Sequence, residues 1–271
     1  MRFRARRYWR DFAAAAGGIA VGAVILAAAG WLGFARPPSV GAPSLLERAP
    51  APPEARYGGT LVVVRPNEPQ TLNPLLARDT CSLDFVSRLF NSLFTNDSDC
   101  RVVPDLVRSW TTSSDHRVWT FRLREGVRWH DGQEFTARDV VFTYRALLDP
   151  ATASPRRADF TFTSGPVVVE ALGRHEVRFV LPQPVPQLLS LLTVPILPEH
   201  QFAGRSPLSD PRNERPVGTG PFIFEAWEQG RYLSMRAFDD YFEGRPYIDR
   251  LEFIIEPDPA RRAEMLSSGE A

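Results

Sequence analysis

The sequence predicts a mixed-sheet α/β fold, and three features carry that expectation. A β-branched run, Thr60-Leu61-Val62-Val63-Val64, reads as a buried strand. Val118, Thr120 and Arg122 alternate with Trp119, Phe121 and Leu123, the period-2 pattern of a half-buried strand. Helix-start signals such as Thr136-Ala137-Arg138-Asp139 fall among the strands without strict strand–helix alternation. That arrangement favours a mixed sheet.

The folded body starts at Tyr57, where Gly58-Gly59 precedes the first strand. Asn73-Pro74 marks a turn, and Ser82–Leu93 places Phe85, Val86, Leu89, Phe90 and Leu93 on one helical face. After the 118–123 strand, Asp131-Gly132 makes a turn, and the helix opened at Thr136 runs to about Leu148. Val167–Leu172 and Glu176–Leu181 read as a hairpin around Gly173-Arg174. Pro184–Leu192 reads as a proline-started apolar helix. Phe222–Trp227 and Tyr232–Phe238 flank a turn at Gln229-Gly230. Leu251–Glu256 is a strand, and Asp258-Pro259 opens a last helix.

Ahead of this body lies a different kind of sequence. No charge occurs from Phe12 to Phe34, a stretch long enough to cross a bilayer core, which needs ~20 residues. Arg2, Arg4, Arg6, Arg7 and Arg10 precede it, so the N-terminus is expected inside and the body outside. Residues 1–35 are therefore expected to be a transmembrane signal anchor, with cleavage after Ala27-Ala28-Ala29 as the alternative. Residues 36–56 form a Pro/Ala-rich linker, whose prolines favour an extended spacer.

Length and composition set outer bounds. At 271 residues and 44% hydrophobic, the chain can bury a sizeable core. Formal net charge is zero; with the basic N-terminus set aside, the rest is mildly acidic, which fits an exported protein rather than a nucleic-acid binder. All 32 basic residues are arginine, which excludes a Walker A loop, a Schiff-base lysine and a Ser–Lys dyad.

Several blocks in register resemble one family. They are Gly58-Gly59-Thr60-Leu61, Thr71-Leu72-Asn73-Pro74, Val103-Pro104-Asp105-Leu106 with Ser109-Trp110, and Val127-Arg128-Trp129-His130-Asp131-Gly132 leading to Asp139-Val140-Val141-Phe142-Thr143. Pro216-Val217-Gly218-Thr219-Gly220-Pro221-Phe222 and Tyr241-Phe242-Glu243-Gly244-Arg245-Pro246 continue the series. Together they resemble the extracellular solute-binding proteins of family 5, the oligopeptide- and dipeptide-binding group of ABC importers.

The resemblance implies a periplasmic-binding-protein-like fold. Residues 57–90 and 198–271 would form a first lobe, residues 91–197 a smaller inserted α/β domain, and the second main lobe would be missing. It implies a peptide or other small polar solute as ligand, an ABC permease in the membrane as partner, an extracytoplasmic location, and neither catalysis nor a cofactor. A non-peptide solute, a sensor or an inert remnant of the same fold, and an exported hydrolase are the alternatives.

Relatives hold peptides by main-chain pairing with a segment that falls here at Arg78, Asp79 and Thr80. An exposed edge of that kind bonds any peptide, whatever its side chains. Arg78 would suit a ligand carboxylate and Asp79 an amine. Asp79-Thr80 also reads as a helix cap, and the two roles are compatible. Arg156 stands where relatives often carry an aromatic, which argues against a cleft role there.

His130-Asp131 invites an acid–base reading, but its place in a turn favours a structural one. The remaining histidines show no metal-ligand spacing, and no G-x-S-x-G elbow occurs. Trp110, Trp119, Trp129 and Trp227 read as packing residues. Cys81 and Cys100 are either bridged or free, depending on whether the chain runs straight back after the intervening helix.

Overall fold

The computed structural model describes residues 56–202 and 210–270. The expected membrane segment and, except for Arg56, the linker lie outside the described residues. Among the described residues no helix is long and apolar enough to cross a membrane.

In chain order, β1 (Thr60–Arg65) leads to α1 (Thr80–Leu89), the short ladder β2 (Phe94–Asn96) and β3 (Val102–Pro104), then β4 (Val107–Thr112) and β5 (Val118–Leu123). Helix α2 (Ala137–Leu148) is followed by the small hairpin β6 (Thr161–Phe162) and β7 (Gly165–Pro166), then β8 (Val168–Gly173) and β9 (Glu176–Val180). Single helical turns α3 (Leu188–Leu191) and α4 (Glu199–Phe202) precede β10 (Phe222–Glu228), β11 (Tyr232–Ala237), β12 (Arg250–Ile255) and α5 (Pro259–Ser268).

Two four-stranded sheets result. One has the order β1-β12-β11-β10, with β1 parallel to β12 and the remaining pairs antiparallel. The other, β4-β5-β9-β8, is wholly antiparallel. The fold is thus mixed α/β, as expected.

Each sheet is covered by a helix whose apolar residues recur at helical spacing. On α1, Phe85, Val86 and Leu89 are buried, and the Phe85 ring meets Phe253 of β12 edge-on at 4.6 Å. On α2, Val140, Tyr144 and Leu147 are buried, with Tyr144 edge-on to Phe179 of β9 at 4.9 Å. Fully burying an aromatic side chain of this kind stabilises by about 1.5–3 kcal/mol. The predicted capping box opens α2, the Thr136 N–H donating to Asp139 Oδ2 at 2.8 Å. Pro150 stands just beyond Asp149, where the helix stops.

Four expectations are corrected. The first strand is only half-buried, with Leu61 exposed, because β1 is an edge of its sheet. The helix over 82–93 starts two residues earlier and ends at Leu89. There Gly220 N–H takes the Leu89 carbonyl at 2.9 Å, and Ser92 N–H donates instead to Asp105 Oδ2 at 2.9 Å. The apolar helix over 184–192 shrinks to Leu188–Leu191. Pro184 and Pro186 have no N–H to donate and hold the residues before them extended. The β8–β9 turn falls at Arg174-His175, since Gly173 still belongs to β8.

Both cysteines are free. Trp119 and Trp129 are buried, while Trp110 and Trp227 are half-buried against the core.

Candidate functional site

The Asn73-Pro74 turn swings the chain into the segment before α1. Its carbonyl accepts from Leu76 and Ala77 N–H, at 3.1 and 3.0 Å, and Asn73 Oδ1 accepts from Leu75 N–H at 3.0 Å. Ser82 Oγ, fully buried, pins the preceding loop by accepting from Gln70 N–H at 2.9 Å and Thr71 N–H at 3.2 Å.

Between these anchors Asp79 is extended (φ −87°, ψ 150°) and caps α1, with Oδ1 accepting from Ser82 N–H at 2.8 Å. Burial pushes its carboxyl up, but the hydrogen bonds from Ser82 outweigh that and hold it below the usual carboxylate range. Oδ2 is shielded from solvent and has no partner. The capping role is therefore observed. Along the same stretch, the main-chain N–H and C=O of Arg78 have no partner among the described residues. They are unspent backbone groups in an extended segment.

Concave surfaces lie on both sides of it. A cavity of about 610 Å³ runs along α1, walled by Leu75, Val86 and Phe90, by Leu147 and Ser154-Pro155-Arg156, and by Thr193-Val194-Pro195. Arg78 lines it. An open groove of about 680 Å³ lies beyond the carboxyl ends of β1 and β12, lined by Asn67, Glu68, Gly230 and Pro257, and Asp79 and Thr80 face this one. The carboxyl ends of parallel strands are where open α/β sheets generally take ligands. Glu68 secures the groove, its Oε2 accepting from Trp227 Nε1 at 3.1 Å and Gly230 N–H at 2.9 Å. Cys81, whose thiol donates to the Asn67 carbonyl at 3.3 Å, also lines it, and burial pushes that thiol up, away from a reactive thiolate.

The hydrogen bonds that hold the cavity wall carried no signal in the sequence. Ser154 Oγ donates to the Leu75 carbonyl at 2.7 Å, and Arg156 donates to Asp159 Oδ2 at 2.5 Å and to the Leu191 carbonyl at 2.9 Å. These bonds hold Arg156 on the cavity wall.

Asp105, also on that wall, is only 6% exposed. Its carboxylate accepts from Asn91 Nδ2 at 2.9 Å and from Ser92 N–H, and Asn91 in turn meets Thr219 Oγ1 and the Tyr241 hydroxyl. Burial drives the Asp105 carboxyl up to about 7 in spite of these donors. The only signal for this network was the shared Val103-Pro104-Asp105-Leu106 block, whose spacing discloses no partner.

His130 is committed to structure at both ring nitrogens. Gly218 N–H donates to Nδ1 at 3.1 Å, which makes Nδ1 the acceptor, so Nε2 carries the proton and donates to the Gly220 carbonyl at 2.9 Å. Burial lowers its pKa to about 4. No nitrogen is left to act as a general base. Asp131 is turned away to His200, whose Nε2 lies 2.7 Å from Oδ2. Among the described residues no three His, Cys, Asp or Glu side chains gather as a metal site.

Residues 101–271 match the family described as bacterial extracellular solute-binding proteins, family 5 Middle. The oligopeptide-binding protein AppA of Bacillus subtilis is 34% identical over 222 residues, which is 79% of this chain and 40% of the relative. Its structure in complex with a nonapeptide superposes with a TM-score of 0.75 at 32% identity, covering 80% of this chain and 44% of that one. The ABC transporter substrate-binding protein CtaP of Listeria monocytogenes gives 0.75 at 34% identity, over 79% and 44%. NikZ of Campylobacter jejuni in complex with Ni(L-His) gives 0.71 at 29%, over 78% and 42%. The chain thus spans less than half the length of these relatives.

Proposed function

The chain belongs to the family 5 extracellular solute-binding proteins, and on that premise we propose that it is the solute-receiving part of an ABC importer for peptides. The observation that carries the peptide reading is the extended Arg78–Thr80 segment, with its unspent backbone groups set between a cavity and a groove. A strand-like ligand laid along it gains main-chain hydrogen bonds independent of its own sequence. Arg78 offers a charge for a carboxylate, Asp79 fixes the segment as the helix cap, and Thr80 contributes the free N–H of the first helical turn.

In this reading residues 57–90 and 198–271 form the first lobe and 91–197 the inserted domain, a division supported by the two separate sheets. Residues 12–34 anchor the body on the extracytoplasmic face, 36–56 space it from the membrane, and the partner is the importer's permease. A small chelate is the second reading, favoured by the likeness to NikZ with Ni(L-His).

Thr80→Pro tests the peptide reading. Proline suits the first position of a helix, and Asp79 already has the extended conformation that a following proline requires. The fold should survive while one donor disappears, weakening binding of short peptides by about three- to tenfold, the worth of one hydrogen bond. Thr80→Val, which keeps the N–H, should bind as the parent does. Equal affinities for the parent and both variants in an NMR titration would exclude main-chain pairing at the Thr80 N–H.

A further inference from the structure

We propose that the cavity along α1 is a subsite for the last residue of the ligand, with its apolar side chain inside and its carboxylate on Arg78. This rests on the peptide reading and adds which end of the peptide lies there and what side chain it carries.

The walls supply the first argument. Leu75, Val86, Phe90, Leu147 and Val194 line a space of about 610 Å³, within the range of small-ligand pockets. Leu83 on its rim is 47% exposed, a large apolar side chain left without cover. Such a lining favours an aliphatic or aromatic side chain and penalises a charged one.

Charge supplies the second. Arg156 is engaged by Asp159 and the Leu191 carbonyl, Glu243 is paired with Arg124 at 3.5 Å, and Asp105 is bonded to Asn91 and Ser92. Arg78 alone among the charged lining residues has no hydrogen-bond or ion-pair partner among the described residues. The cavity's one uncompensated charge is therefore positive. Only the C-terminal residue of a peptide carries a carboxylate and a side chain on the same carbon. Arg78 also presents its free backbone N–H and C=O beside that charge, so the last peptide group of the ligand has partners as well.

The test uses the whole chain in detergent micelles and four probes: Ala-Ala-Leu, Ala-Ala-Ala, the C-terminal amide of Ala-Ala-Leu, and N-acetyl-leucine, each titrated by NMR. The leucine peptide should bind about tenfold or more tighter than the alanine one, and amidation should cost about three- to tenfold. Arg78→Gln should cost as much for the acid and nothing for the amide. Val86→Phe, which fills the cavity, should erase the preference for leucine; should that variant not fold, the Arg78→Gln comparison still decides.

If tripeptides bind with no preference for leucine or for a free carboxylate, the subsite is wrong and the peptide reading stands. If N-acetyl-leucine binds through Arg78 while no tripeptide does, the subsite stands and the peptide reading falls. If nothing binds, both are overturned.

Discussion

Replacing Gly218 with alanine is expected to leave little folded protein. A Cβ at this position would lie 1.7 Å from the Leu89 carbonyl oxygen and 2.6 Å from its carbon, a collision with backbone rather than with a side chain that could swing away. Retreat is blocked as well. The loop is tied by Gly220 N–H to Leu89 O at 2.9 Å, by His130 N–H to Gly218 O at 2.8 Å, and by Gly218 N–H to His130 Nδ1. The same loop ends α1, and through α1 it sets the Arg78–Thr80 segment and the cavity wall. Relieving the overlap breaks several of these bonds together, so the cost should exceed about 4 kcal/mol, at the severe end for point substitutions. Gly173→Ala, where a Cβ meets nothing within 4 Å, should stay within about 0.5 kcal/mol of the parent. Urea unfolding followed by circular dichroism separates the two outcomes. A Gly218→Ala protein as stable as its parent would show that the close approach is not required.

A second large effect should appear in the pH dependence of single variants at two buried groups. His130 has a folded pKa of about 4 against an ordinary 6.5, so it contributes stability that is complete above pH 6.5 and is lost as pH falls towards 4. Burial disfavours the charged ring, and a proton on Nδ1 would in addition face the Gly218 N–H from which that nitrogen accepts. The full swing is on the order of 3 kcal/mol. Asp105 works in the opposite sense. Its carboxyl is raised from 3.8 to about 7, so its contribution is complete below pH 3.8 and is lost as pH rises through 7.

The two slopes oppose each other between about pH 4 and 6.5, and single variants separate them. His130→Asn should be roughly 1 kcal/mol less stable than the parent at pH 8, a deficit that vanishes or reverses near pH 4. Asp105→Asn should compare worst with the parent at low pH and best above pH 7. Differences in unfolding free energy measured from pH 4 to 8 read this directly. A pH-independent deficit for His130→Asn would mean that the ring titrates normally.

Legibility in the sequence followed the range of the interaction. The second sheet's core strand and α2 were legible because alternation and a capping box are local signals, and Thr136 and Asp139 are three residues apart. The end of α1 was not. Leu89 is halted by Gly220, 131 residues further on, and the apolar pattern continuing through Phe90 and Leu93 gave no warning. Three prolines between 181 and 187 limit the helix at its start, although the apolar run after them has helical spacing.

The site divides in the same way. Resemblance alone points to Arg78, Asp79 and Thr80 as ligand partners, whereas the capping role of Asp79 was legible from its position before the helix. That Arg78 lines one concavity while Asp79 and Thr80 line the other depends on how the chain leaves the Asn73 turn. Glu68, clamped to Trp227 and Gly230 about 160 residues away, carries no local signature at all.

Amide hydrogen exchange with and without millimolar short peptides reads the backbone of Arg78, Asp79 and Thr80 itself. The three N–H groups are free of helix and sheet bonding, so they should exchange fast in the unliganded protein. Saturation with peptide should slow them selectively, together with amides bordering the cavity and the groove. Unchanged exchange at these three positions, in the presence of a peptide shown to bind, would place the ligand elsewhere.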